Sequence, residues 1–185
     1  MPSQTRRERA REERRELIVR TARELAEAEG WEAVTTRRLA DAVDYSQPVL
    51  YGHFKNMDAI STAVALEGFD ELAAGLRSAR ERDGLRGLAE AYLRYAEEHP
   101  AVYEAMFVRR TDLVFGDAET PAILRTTFGE ILAAVTPFAT DDPETLTEVF
   151  WSSLHGLATL ANGSRLRPTH HQQRLNHLVK LITQD

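Results

Sequence analysis

The sequence predicts an all-α protein of about nine helices. Apolar residues recur at the three- and four-residue spacing of amphipathic helices, and the strict alternation typical of half-buried β-strands is absent. Glycine, proline and capping residues divide this pattern into segments of helical length. Hydrophobic residues make up 43 % and charged residues 28 % of the 185 residues, which is the balance of a folded globular protein.

The first helix is predicted from roughly Arg9 to Glu29, and Gly30 ends it because glycine accepts the left-handed backbone that closes many helices. Thr35 is a suitable N-cap for a short second helix, roughly Thr36 to Val43.

A tight turn and a third helix follow directly. Asp44 tolerates the left-handed conformation and can end the second helix. Ser46 is predicted to cap the third helix, roughly Gln47 to His53, and Pro48 falls in its first turn, where a missing N–H costs nothing.

The rest of the chain continues as helices with short breaks. Asn56 is predicted to cap a helix from about Met57 to Glu81, and "ERDGLRG" interrupts it. The later predicted helices are one that ends at His99 before Pro100, "AVYEAMF", residues 120–139, one from Pro143 to Asn162, and "PTHHQQRLNHLVKLI".

Composition excludes several classes of protein. With no cysteine, the chain has no disulfide, thiolate chemistry or cysteine-bound zinc. No apolar run reaches the length of a membrane span, and the N-terminus lacks the apolar core of a secretory signal, so we expect a cytoplasmic protein without a membrane partner. The sequence has no His-Glu-x-x-His, no glycine-rich phosphate loop and no spaced carboxylate cluster, so it predicts no enzyme, no metal site and no cofactor.

Charge is distributed unevenly along the chain. Residues 1–60 carry eleven basic and eleven acidic side chains, so the net charge of -6 belongs entirely to the remainder. The first fifteen residues hold six arginines: Arg6, Arg7, Arg9, Arg11, Arg14 and Arg15. This segment fits either an arm that reaches nucleic-acid phosphates or a solvated helix start with internal ion pairs, and charge alone does not decide between them.

Two short helices joined by a tight turn, after a longer helix, have the spacing of a helix-turn-helix. Such a unit places the N-terminal residues of its second helix on base edges in the major groove. Gln47 can pair with adenine through two hydrogen bonds, and Val49 can contact a thymine methyl group. Donors for phosphate oxygens surround them: Thr36, Arg37, Arg38, Tyr51, His53 and Lys55.

The stretch "GWEAVTTRRLADAVDYSQPVLYGHFKNMDAI" resembles the DNA-binding domain of the TetR (tetracycline-repressor) family over about residues 10–60. The resemblance implies a helix-turn-helix DNA-binding domain over residues 1–56 and a helical ligand-binding and dimerisation domain over residues 57–185. It also implies a homodimer, formed through the last two helices, that binds a palindromic operator in double-stranded DNA. The predicted DNA-binding residues are Thr35, Thr36, Arg37, Arg38, Ser46, Gln47, Pro48, Val49, Tyr51, His53 and Lys55.

Two positions depart from the family pattern. Asp44 stands where the family usually has glycine, and Met57 stands where it usually has a lysine that meets a phosphate. The second departure removes one expected backbone contact, for which Lys55 is the nearest substitute.

The C-terminal part carries "WSSLHG", which resembles the Trp–His–Gly signature of a subset of the family. The residues alone also fit a core tryptophan packed on a histidine. A small-molecule effector is implied by the resemblance, and its predicted pocket residues are Tyr92, Tyr95, Tyr103, Met106, Phe107, Phe128, Trp151 and His155. Since aromatic residues at helical spacing also form ordinary cores, the alternative is a DNA-binding helical dimer with a filled core and no effector.

Overall fold

The computed structural model describes residues 2–109, 111, 113–114, 116 and 119–184, with side chains from residue 6 onward. These residues form eight α-helices and no strand, which confirms the predicted all-α class. Three short 3-10 helices accompany them at Trp31–Ala33, Thr136–Phe138 and Pro168–His170. The α-helices are α1 (Pro2–Glu29), α2 (Thr36–Ala42), α3 (Gln47–His53), α4 (Met57–Glu98), α5 (Pro100–Phe107), α6 (Ala122–Val135), α7 (Pro143–Asn162) and α8 (His171–Thr183).

Helix α4 is interrupted within its length. Asp83 and Gly84 have non-helical backbone angles, and the φ of Gly84 is 53°. This break falls inside the predicted interruption "ERDGLRG" and divides α4 into two helical stretches. When α4 is counted as two helices, the number of α-helices in the described residues equals the predicted number.

Local signals near the N-terminus act as predicted. Gly30, with a φ of 82°, follows the end of α1, and Asp44, with a φ of 56°, forms the left-handed turn between α2 and α3. The Thr35 side chain accepts a hydrogen bond from the Arg38 backbone N–H at 3.3 Å. The Asn56 side chain caps α4 by accepting from the Ala59 backbone N–H at 2.9 Å.

One predicted helix start is wrong, and one predicted cap is confirmed in position but lacks its side-chain hydrogen bond. Helix α1 begins at Pro2 rather than near Arg9, because arginine and glutamate are good helix formers and proline is tolerated in a first turn. Ser46 occupies the N-cap position of α3, but its side chain makes no capping hydrogen bond. Its carbonyl oxygen instead accepts from the Val49 backbone N–H at 2.9 Å.

The chain folds into two compact units. The first unit comprises Met1–Gly68 and Ala101–Leu113, and the second comprises Phe69–Pro100 and Val114–Asp185. The predicted boundary after residue 56 separates a DNA-binding domain from a ligand-binding and dimerisation domain. Because it is a boundary between functions, it stays a prediction. No helix in the described part of the chain combines the length and apolar character that crossing a bilayer requires.

The first unit contains α1 to α3, the start of α4, and α5. Ile18, Ala22, Leu39 and Leu50 are almost completely buried in this unit. Burial of such side chains contributes about 1.5–3 kcal/mol each for the larger ones, so packing rather than helix propensity stabilises the short helices α2 and α3.

Helix α5 is attached to the first unit by specific hydrogen bonds. The Glu27 carboxylate accepts from the backbone N–H groups of Ala101 at 3.1 Å and Val102 at 3.0 Å. These N–H groups lie in the first turn of α5, where no carbonyl within the helix can accept from them. The buried indole N–H of Trp31 donates to the Ala101 carbonyl at 2.8 Å. Glu27 and Trp31 thus fix the beginning of α5.

In the second unit, α6 packs against α7 and α7 against α8. The Glu130 side chain of α6 is nearly buried, yet it carries a carboxylate. It accepts from Arg77 Nε at 2.7 Å and from Arg80 Nη2 at 3.0 Å, both on α4. Burial opposes its ionisation, but the hydrogen bonds and charges of the two arginines outweigh burial and leave the pKa of Glu130 below its usual value.

We expect Glu130→Gln to lower the free energy of unfolding by about 1–3 kcal/mol at pH 7, because it removes charged hydrogen bonds at a nearly buried site. The folded state lowers the pKa of Glu130. The contribution of this carboxylate to the free energy of unfolding is therefore complete above the unfolded pKa near 4.5, and it is lost as pH falls through the folded pKa. Urea unfolding at several pH values measures this. The exposed Glu148→Gln on α7 is the control, and a stability gap between wild type and Glu130→Gln that does not shrink in acid contradicts the assignment.

Candidate nucleic-acid interface

One side of α3 is exposed and the other holds the helix in place. Gln47 and Pro48 are exposed, as are 39 % of Val49 and 54 % of Tyr51, whereas Leu50 is only 2 % exposed. Phe54, four residues after Leu50 and 5 % exposed, continues the buried side. The residues predicted to touch base edges are therefore all exposed.

Helix α2 supplies a second set of polar groups beside α3. The hydroxyl groups of Thr36 and Tyr51 lie 3.3 Å apart and form a hydrogen bond between the two helices. Because this bond joins the start of α2 to the middle of α3, it sets the position of the exposed Tyr51 ring. The structure thus brings together residues that are separated by a turn in the sequence.

The two arginines of α2 differ in their surroundings. The Arg37 side chain is 83 % exposed and lies 3.9 Å from Asp41 in a loose pair. Arg38 donates two hydrogen bonds to the Glu29 carboxylate, at 2.9 Å and 2.6 Å. Hydrogen bonding to Arg38 lowers the pKa of Glu29. The sequence predicted Arg38 as a hydrogen-bond donor to DNA phosphates. It did not indicate the pairing with Glu29, which is nine residues away across the loop after α1.

The remaining predicted residues border α3 at its two ends. Ser46 lies exposed at the beginning of α3, and Lys55 lies exposed just after its end. Met57, at the position where the family usually has lysine, is half-buried at the start of α4.

His53 lies in an unusual environment at the C-terminal end of α3. It is half-buried, and its Nδ1 atom is buried without a hydrogen-bond partner. Burial, followed by the positive charges of Arg11, Arg14 and Arg15, lowers the pKa of His53. The imidazole of the free protein is therefore mainly neutral near pH 7. The nearness of these α1 arginines to α3 was not predicted, although their three- and four-residue spacing places them on one side of a helix.

The residues predicted to line an effector pocket divide between the two units, and each group is described separately. In the second unit, the Trp151 indole N–H donates to the Tyr92 hydroxyl at 3.0 Å, and the rings of Trp151 and His155 have centroids 6.2 Å apart. Burial lowers the pKa of His155. Phe128 is half-buried, and Tyr95 donates to Glu71 at 3.1 Å.

In the first unit, the predicted pocket residues are on α5. Tyr103 and Met106 are nearly buried, and the rings of Tyr103 and Phe107 have centroids 4.8 Å apart. A cavity of about 420 Å³ opens in the second unit between residues that include Leu93, Glu97, Leu157, Leu166 and Arg174. None of the predicted pocket residues lines it.

Comparison with known protein families identifies the chain. Residues 18–64 match the model described as "Bacterial regulatory proteins, tetR family", and residues 85–182 match "Tetracyclin repressor-like, C-terminal domain". The chain belongs to the TetR family. TetR-family proteins are DNA-binding transcriptional regulators and not enzymes. The first matched range contains α2 and α3, which form the helix-turn-helix of this family. The Trp–His–Gly subset stays a prediction.

Individual relatives agree with this assignment. An uncharacterized HTH-type transcriptional regulator of Mycobacterium tuberculosis is 30 % identical over 152 residues, which cover 79 % of this chain and 69 % of the relative. Tetracycline repressor protein class C of Escherichia coli is 51 % identical over 51 residues, 28 % of this chain and 23 % of that protein. The crystal structure of BioQ with its DNA operator shares the fold, with a TM-score of 0.67, 18 % identity and coverage of 92 % of this chain and 98 % of that one.

We expect Glu29→Gln to increase the affinity for duplex DNA of random sequence, because it releases the Arg38 guanidinium and removes a negative charge beside α2. One additional phosphate contact would steepen the dependence of log affinity on log salt by roughly 0.9 per protomer. Fluorescence anisotropy at several salt concentrations measures both quantities. Glu24→Gln, also exposed on α1, is the matched control, and an affinity that falls in Glu29→Gln alone would show that Glu29 holds Arg38 in its DNA-binding position.

Proposed function

We propose that this protein is a cytoplasmic transcriptional regulator that binds a palindromic operator sequence-specifically as a homodimer. The observation that supports this most directly is the exposure of Gln47, Val49 and Tyr51 on a helix that the buried Leu50 anchors. These side chains match the hydrogen-bonding and apolar groups that a major groove presents. Repression is the favoured direction of control, since one of the relatives is a tetracycline repressor.

In this proposal, donors around α3 hold the protein on the DNA backbone. Thr35, Thr36, Arg37, Arg38, Ser46, Tyr51, His53 and Lys55 contact phosphates, while Gln47, Pro48 and Val49 face base edges. The His53 imidazole, mainly neutral in the free protein, becomes charged more readily beside a phosphate.

Dimerisation through α7 and α8 supplies the second reading helix. Val149 and Leu160 on α7 are 54 % and 40 % exposed, and Leu181 on α8 is 77 % exposed. Exposed apolar side chains on the last two helices suit a two-fold helical interface. Two copies of α3 spaced about 34–36 Å apart, or a multiple of it, would read a palindrome.

The proposed regulation is by a small apolar molecule. A ligand that favours a spacing of the two reading helices unsuited to the operator weakens DNA binding, typically by about 1–3 kcal/mol. The second candidate is a regulator with a filled core and no effector. The hydrogen bond between Trp151 and Tyr92 favours this second candidate, because the two polar groups already satisfy each other.

Selection of bound sequences from a pool of random duplexes, with the purified full chain, tests the proposed function. We expect enrichment of one sequence with two-fold symmetry. The absence of any enriched sequence at moderate ionic strength contradicts the proposal, and an enriched site without symmetry contradicts its dimeric part.

We expect Gln47→Ala to weaken binding to the selected operator by about 1–3 kcal/mol per half-site and to relax the preference at one base pair. The reason is that Gln47 is exposed at the start of α3, where it can reach a base edge. A competition assay against operators changed at single positions measures this effect. Gln173→Ala on α8 is the control, and equal losses on operator and random DNA would show that Gln47 does not read a base.

A thermal-shift screen with apolar small molecules separates the two candidates for regulation. A ligand present at 100 times its Kd stabilises the folded state by about 2.7 kcal/mol and raises the Tm. We expect such a ligand to lose its effect in Trp151→Phe if the aromatic residues form its site. If no compound across a broad library raises the Tm, the regulator with the filled core is favoured.

A further inference from the structure

Four arginines form a continuous line along the exposed part of α1. Arg7, Arg11 and Arg15 follow one another at four-residue steps, and Arg14 is three residues after Arg11, so the four side chains share one side of the helix. We call them the arginine ridge. The same spacing continues from Arg11 and Arg15 to the buried Ile18 and Ala22. The side of α1 that packs into the first unit is therefore continued toward the N-terminus by arginines.

The ridge lies next to the end of α3. The Arg15 guanidinium is 5.0 Å from the centre of the Phe54 ring. Arg11, Arg14 and Arg15 are also close enough for their charges to oppose protonation of His53. Since His53 and Phe54 end the proposed recognition helix, the ridge places positive charge beside that end of α3.

Most of the ridge is open to a partner. Arg7, Arg11 and Arg14 are exposed, and the side chain of Arg15 remains 41 % exposed, 3.9 Å from Glu12. Glu13 and Glu16 lie on the opposite side of α1, as do Arg6 and Arg9. The ridge arginines repel one another at three- and four-residue spacing, whereas Glu8 and Glu12, three residues before Arg11 and Arg15, attract them. A row of anions along the ridge would relieve the repulsion between the arginines.

We propose that the arginine ridge binds duplex phosphates outside the base pairs that α3 reads, and so lengthens the DNA segment held by each protomer. This inference rests on the proposed function. Arg7 and Arg15 are separated by about 12 Å along a helix with a rise of 1.5 Å per residue. That length corresponds to three to four phosphates of one strand, at about 3.4 Å of helix axis each. The guanidinium fork pairs well with phosphate oxygens.

The test compares two variants on two duplexes. The ridge variant carries Arg7→Gln, Arg11→Gln and Arg14→Gln, and leaves Arg15 on Phe54 undisturbed. The control variant carries Arg6→Gln, Arg9→Gln and Arg20→Gln, which remove the same charge from the other side of α1. One duplex ends at the outermost base pairs of the selected operator. The other carries about ten further base pairs on each side, roughly one helical turn.

On the long duplex, we expect the ridge variant to bind at least about tenfold more weakly than the control variant. The slope of log affinity against log salt concentration should be smaller in the ridge variant by roughly 2–3 per protomer. On the short duplex, the two variants should bind alike, and the wild type should prefer the long duplex. Circular dichroism and thermal melting check that both variants remain folded. Hydroxyl-radical footprinting of the wild type should show protected sugars beyond the selected operator, a result that does not depend on any variant.

Equal losses in both variants on both duplexes would overturn the inference, because they would reflect net charge alone. A wild type that binds the two duplexes equally, with no protection beyond the operator, would overturn it as well. If random-pool selection enriches no sequence at all, the proposed function itself fails. If an operator is enriched but flanking DNA has no effect, only the role of the ridge fails.

Discussion

The proposed reading surface depends on the packing of one leucine. Helix α3 has seven residues, too few to be stable alone in water. Leu50, in its middle, is 2 % exposed and anchors the helix, and the buried Phe54 follows it four residues later. Because the side chains of a helix keep fixed directions, burial of Leu50 turns its neighbours Val49 and Tyr51 toward solvent. Gln47 is exposed because it is the first residue of α3. A rotation of α3 about its own axis would bury polar groups and expose this anchor.

The electrostatics of the first unit are set by pairing as much as by the number of charges. Basic and acidic residues balance over residues 1–60, yet the acids do not neutralise all arginines equally. Glu29 holds Arg38 through two hydrogen bonds, whereas Arg37 has only a loose neighbour in Asp41. A duplex approaching this unit therefore meets arginines that differ in how readily they can turn toward it.

Features set by neighbouring residues were predictable from the sequence, whereas features set by distant residues were not. The bounds of α3, the left-handed turn at Asp44 and the cap by Asn56 each depend on a few adjacent residues. The pairing of Glu29 with Arg38 depends on how α1 meets α2. The surroundings of His53 depend on arginines that lie a whole helix away in sequence. The missing side-chain cap at Ser46 shows that even a local preference can be left unused.

Helix α5 makes the first unit discontinuous along the chain. Glu27 and Trp31 need the backbone of Ala101 and Val102 as hydrogen-bond partners, and those residues follow the whole of α4. During synthesis from the N-terminus, the ribosome must therefore release α5 before the DNA-reading end can complete its packing. A nascent chain that stops within α4 leaves the Trp31 indole without its carbonyl acceptor, so this end cannot finish folding until α5 has been translated and has left the ribosome.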